Sequence, residues 1–185
     1  MALVRIVGVD PSLRNWGLAK GTYDTERKLL SIAKVDVIQP TLPQSKKARK
    51  SAIDLIAAQQ LTAGMLEFAE DAHLTFVEVP HGSQSAAAMK GYGICIGVLG
   101  ALREVGMPFF ELNQREVKLA TVEKQDATKQ EMIDWATNLH PEADWPTRTV
   151  KGIPTVIASK AEHMADAVAT IHAGIQSAYF NPFKT

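Results

Sequence analysis

Apolar positions along the chain fall first into short continuous runs and later into helical spacing. Residues 3–9 are almost wholly apolar, as a strand buried on both faces of a sheet should be, and the run stops at the turn signal Asp10-Pro11-Ser12. Strand-like runs follow at 16–23 and 29–38, and their close spacing predicts an antiparallel meander of three strands. Beyond the loop marked by Pro40 and Pro43, Ile53, Ile56, Ala57, Gln60, Leu61, Gly64, Met65 and Phe68 recur at the period of an amphipathic helix. Residues 74–79 then read as a strand ended by Pro80, 85–105 as a helix rich in small residues, and 108–112 as a fifth strand.

The remainder reads as helical apart from a polar, proline-punctuated connection over 140–157, whose length predicts a mobile or functional loop. Ser159 and Glu162 have the spacing of a capping box, and Met164, Val168, Ile171, Ile175 and Ala178 trace an apolar stripe on the helix that would follow. The expected order is β-β-β-α-β-α-β and then helices. That is an α/β fold with a mixed five-stranded sheet, a three-strand antiparallel meander plus parallel strands, flanked by helices.

Two charges interrupt the apolar pattern: Asp10 at the end of the first strand and Glu78 inside Thr-Phe-Val-Glu-Val-Pro. A buried carboxylate is costly unless paired, hydrogen-bonded or bound to a metal. Alone, Asp10 also fits a turn before proline, and Glu78 an edge position facing solvent. His163 and Asp166 are three apart on the last helix, off its apolar stripe, where they can meet one ion or simply face water. Glu162 lies beside Asp166 on the same wheel, but the capping box accounts for it. Three carboxylates and an imidazole suit Mg2+, with Mn2+ able to substitute, and two such ions about 4 Å apart can cleave a phosphodiester without a protein nucleophile. The sequence offers no G-x-S-x-G elbow and no P-loop lysine motif.

Composition narrows the class without naming a partner. A chain of 185 residues, 46% apolar and 22% charged, suits one domain over 1–185. The single cysteine, Cys95, excludes an internal disulfide framework and fits a cytoplasmic protein; no secretory leader or membrane-length apolar run is apparent. Twenty basic residues balance twenty acidic ones, so net charge does not argue for nucleic acid. Lys46, Lys47, Arg49 and Lys50 form the one dense basic cluster, either a DNA contact or a solvated helix start.

With these residues in view, the chain resembles the RuvC family of Holliday junction resolvases, of the RNase H-like superfamily, and within it a phage-type or otherwise specialised member. The resemblance rests on Gly8-Val-Asp-Pro-Ser-Leu-Arg-Asn-Trp-Gly17, Val77-Glu-Val, Gln114-Arg-Glu-Val-Lys-Leu-Ala and Ala165-Asp-Ala-Val-Ala169, in family order. It implies a homodimeric, magnesium-dependent endonuclease making paired symmetric nicks in four-way DNA junctions. It implies metal positions at Asp10, Glu78, His163 and Asp166, where the family often has Asp in place of His163. It also implies lysines near the scissile phosphate at Lys118 and Lys129. Where well-studied members carry an aromatic residue after the strand glutamate this chain has His81, which the resemblance makes a DNA contact with altered junction distortion. Gly93, Gly97 and Gly100 fit either tight packing on the chain's own sheet or the dimer interface. A nucleotide loop at 91–97 is disfavoured by its spacing. Three alternatives stay open: a broader fork and flap nuclease, a non-catalytic junction binder, and an actin-like kinase, against which the length counts.

Overall fold

The computed structural model describes residues 3–45, 47–177 and 180. Its strands are β1 (Leu3–Asp10), β2 (Trp16–Asp24), β3 (Leu29–Ile38), β4 (Leu74–Glu78), β5 (Phe110–Leu112), β6 (Thr147–Val150) and β7 (Ile153–Val156). Its helices are α1 (Lys50–Phe68), α2 (Ala86–Glu104), α3 (Gln114–Thr121), α4 (Lys129–Leu139) and α5 (Ala158–Gln176). The main sheet runs β3-β2-β1-β4-β5. β1, β2 and β3 pair antiparallel, and β4 and β5 add in parallel. The expected meander and mixed five-stranded sheet are thus the ones observed.

Strand alternation divides the core between two layers. Val7, Val9, Leu18 and Val77 point to one face and pack with Leu61 and Met65 of α1 and Val98 and Leu102 of α2. Ile6, Ala19 and Phe76 point to the other and pack with α5 and the residues of α3 and α4. The same period-two count sends Asp10, two residues beyond Gly8, and Glu78, two beyond Phe76, to the α5 face. α5 lies directly on that face because Gly8, Gly17 and Gly174 remove the side chains that would hold it off. A Cβ at Gly8 would collide with the Ala167 carbonyl, one at Gly17 with the His163 carbonyl, and one at Gly174 with the Phe76 ring.

Local signals set the shorter helices. Asn113 with Glu116 caps α3, and Thr128 with Glu131 caps α4, each as a reciprocal capping box. The Ser159–Glu162 box does not form. Ile157 occupies the N-cap of α5, its carbonyl accepting from Lys160 and Ala161 at 2.9 and 3.0 Å, so Ser159 is already inside the first turn and Glu162 is free for other work. Nor is 140–157 an unstructured loop. Residues 147–156 form the β6–β7 hairpin, closed at its base by Ile157 N–H donating to Pro146 O at 2.8 Å. Before it, Glu142 and Asp144 accept from the backbone N–H groups of Ile32 and Val35 at 3.2 and 2.7 Å, covering the outer edge of β3.

α2 anchors through Cys95, Val98, Leu99 and Leu102. Gly93, Gly97 and Gly100 face away from the sheet, where an added Cβ would touch nothing, so tight packing on the sheet is not their role. Residues 91–97 are helical throughout, which removes the nucleotide-loop reading. Among the described residues, no helix is long and apolar enough to cross a membrane.

Candidate active site

Asp10 and Glu78 end the neighbouring parallel strands β1 and β4, and α5 crosses above with His163 and Asp166 on one side. All four line one open pocket of about 420 Å³, whose walls also include Ser12, His81, Tyr92, Gln114, Lys129 and Glu162. His163 Nδ1 donates to Asp10 Oδ2 at 2.9 Å, a contact made possible by the bare Gly17 beneath His163.

The electrostatics of the pocket are those of crowded, partly desolvated carboxylates. Burial first, then the charges of Asp10 and Asp166, push Glu78 up to about 8. Burial first, then Asp10, push Asp166 up to about 7 against the opposing pull of His163 and Lys118. The hydrogen bond to Asp10 holds His163 above its ordinary value despite burial. Burial lifts the Cys95 thiol to about 12, so it is no nucleophile near neutral pH. Burial and mutual crowding thus hold both Glu78 and Asp166 against ionisation.

Oxygen donors from Asp10, Glu78 and Asp166, with one imidazole, fit a hard divalent ion in chemical type. As arranged here, no three His, Cys, Asp or Glu side chains among the described residues converge as a ready-made cage. His163 is turned to Asp10 instead.

Both lysines line a smaller recess beside the pocket, and Lys129 lines the pocket as well. Lys118 shares that recess with Glu78 and Asp166 and donates from Nζ to Ala127 O at 3.0 Å. Lys129 stands at the mouth, ion-paired to Glu162, which raises its affinity for its proton. Glu162 therefore belongs to the pocket, and only the misread cap hid it.

Among the described residues of the basic cluster, Lys47, Arg49 and Lys50 do not line the acidic pocket. Lys46 lies outside the described residues; Lys50 lines a second cavity, of about 640 Å³, between α1 and α2, whose lining does not include Lys47 or Arg49. There the nearly buried Asp54 holds Arg14 Nη2 at 2.9 Å and also pairs with Lys90. Lys90, with Arg14, keeps the Asp54 carboxyl below the usual range against burial. Ser12 and Tyr92 line both cavities, so acidic pocket and cationic groove adjoin. Arg14, Asp54, Lys90 and Tyr92 escaped sequence reasoning. Arg14 at least sat within the first motif, whereas its pairing with Asp54 spans 40 positions and carries no local signal.

No protein-family model matches the chain, and no curated protein matches it in sequence. Solved structures do match. RuvC of Thermus thermophilus in complex with a Holliday junction substrate superposes with a TM-score of 0.62 at 18% identity, over 92% of each chain. The fold is that of RuvC. The Fowlpox virus resolvase in complex with substrate Holliday junction DNA gives 0.55 at 11% identity, over 94% of this chain and all of the other. The yeast mitochondrial Holliday junction resolvase gives 0.50 at 15%, over 92% of this chain and 78% of that one. The RNase H-like architecture expected from the motifs is therefore the one observed, at identities too low to carry more than the fold.

Proposed function

We propose that residues 1–185 form one nuclease domain that resolves four-way DNA junctions by divalent-metal-assisted hydrolysis. The observation that carries this is the meeting of Asp10, Glu78, Asp166 and His163 in one pocket on a RuvC fold. In this reading those four side chains hold Mg2+, or Mn2+ in its place. When bound there, such an ion would supply a water of lowered pKa and countercharge for the phosphate. The chain's own part is to present oxygen donors, exclude bulk water from their inner edge and position the strand.

Lys118, held by the Ala127 carbonyl, balances the inner carboxylates. Lys129 leaves Glu162 to take a phosphate oxygen, so Glu162 acts as its resting partner. The groove of Arg14, Lys50 and Lys90 continues from Ser12 and Tyr92 and suits the backbone of the cut strand, while His81 lines the acidic pocket itself. A homodimer would pair two such sites for symmetric nicks. The outward face of α2 supports it: Gly93, Gly97 and Gly100 allow close approach, and Met89 and Ile96 are 45% and 47% exposed beside them.

The test compares end-labelled four-way junction, Y-fork, flap and linear duplex, with magnesium and with EDTA. Magnesium-dependent nicks confined to the junction support the reading. Equal cutting of forks and flaps replaces it with a general debranching nuclease, and binding without cuts refutes catalysis.

A further inference from the structure

We infer that the β6–β7 hairpin is a DNA-contacting arm that grips the branched substrate beside the active site. This rests on the reading of branched DNA as substrate. From Pro146 to Ala161 the chain carries Arg148, Lys151 and Lys160 and no acidic residue, in a protein whose total charge is zero. Both strands are exposed apart from the half-buried Val156, which leans on the core.

A two-stranded ribbon with so little burial is marginal by itself, so the fold gains little from keeping it. What the fold does supply is a firm base. Ile157 N–H closes the hairpin onto Pro146 O, and the Trp145 indole N–H donates to His140 O at 2.8 Å. The tip is a two-residue turn, Lys151 (φ 49°) and Gly152 (φ 83°), whose left-handed backbone matches the twist of the strands.

Register decides which side chains act together. Arg148 faces Thr155, and Val150 faces Ile153, on one side of the ribbon. That side therefore presents a cation near the base and an apolar pair toward the tip, where the turn itself adds Lys151. Val150 is 39% exposed and Ile153 66% exposed. Solvated apolar side chains flanked by cations suit DNA whose phosphates meet the charges while unstacked bases at a branch meet the apolar pair. A two-stranded ribbon is also of a width the major groove admits. The arm leaves the body at Ile157, the N-cap of α5, and His163 lies about 9 Å further along that helix axis. A strand held by the hairpin is thereby led to the acidic pocket.

The test measures binding of the full chain to four-way junction and to linear duplex in EDTA over a series of salt concentrations. Three proteins are compared: wild type, Arg148→Ala/Lys151→Ala, and Val150→Ser/Ile153→Ser. Losing two phosphate contacts should flatten the plot of log Kd against log salt by nearly two, at about 0.9 per contact. The apolar variant should bind the junction at least tenfold more weakly while its duplex affinity stays at the wild-type value. Melting temperatures within about 2 °C of wild type would exclude misfolding, since all four side chains are exposed. Unchanged slopes and affinities in a chain that does bind DNA would overturn the hairpin's role alone. A wild-type chain that binds no DNA would overturn the resolvase reading with it.

Discussion

Replacing Glu78 with Gln separates what this carboxylate costs the fold from what it contributes to the site. Burial and the facing Asp10 and Asp166 raise Glu78 from 4.5 to about 8, so the fold favours the protonated form. A carboxyl raised in the folded state contributes its stability below the unfolded value and loses it as pH rises through the folded one. The loss thus begins near pH 4.5 and runs to about pH 8. At about 1.4 kcal/mol for each pH unit, it would reach at most about 5 kcal/mol above pH 8. Glu78 is partly exposed and its neighbours can relax, so about 1–2 kcal/mol is expected. Gln keeps the shape and stays neutral. Metal-free Glu78→Gln should therefore melt about 3–6 °C above wild type at pH 8 by calorimetry or fluorescence, and the gap should shrink toward pH 4.5. Magnesium should raise the melting temperature of wild type more than that of the variant, which should not cleave. A variant that melts at or below wild type at pH 8, or a gap that does not change with pH, would refute the electrostatic account of the pocket.

Asp10→Asn should keep the fold and junction binding while abolishing cleavage; normal cutting rates in the labelled-junction assay would remove Asp10 from the chemistry. Gly17→Ala should push α5 off the sheet at His163, lowering stability by about 1–3 kcal/mol and cleavage with it; unchanged melting and activity would contradict the close-approach argument. His172 is pushed down to about 4 by burial and by His140, whose Nε2 stands 2.7 Å from its own. Because the fold favours neutral His172, its stability is lost as pH falls from about 6.5 toward 4, by up to about 3 kcal/mol. His172→Phe should flatten that part of the melting-temperature curve, and parallel curves for the two proteins would count against it.

What the sequence made legible follows from period and parity. The buried runs of β1 and β4 identified central strands, and alternation along them already sends Asp10 and Glu78 to the side where Gly8 and Phe76 meet α5. The spacing of His163 and Asp166 then brings them to the same pocket. Misreadings arose where tertiary structure overrode a local signal. Ser159 and Glu162 have capping spacing, but the hairpin delivers the chain with Ile157 already at the cap, and Glu162 turns to Lys129. The hairpin itself was hidden because its strands are exposed and lack an apolar alternation, and because Lys151-Gly152 is a weaker turn signal than Asn-Gly. Contacts such as Arg14 with Asp54 and His140 with His172 join positions 40 and 32 apart, which no local pattern encodes.

The most direct measurement is strand-by-strand mapping of cuts in a four-way junction labelled on each of its four strands in turn, with magnesium. The account predicts nicks at symmetric positions on two opposing strands, absent in EDTA and absent with Asp10→Asn. Intact strands in both magnesium and manganese, or cuts that survive EDTA or the Asp10 substitution, would contradict it.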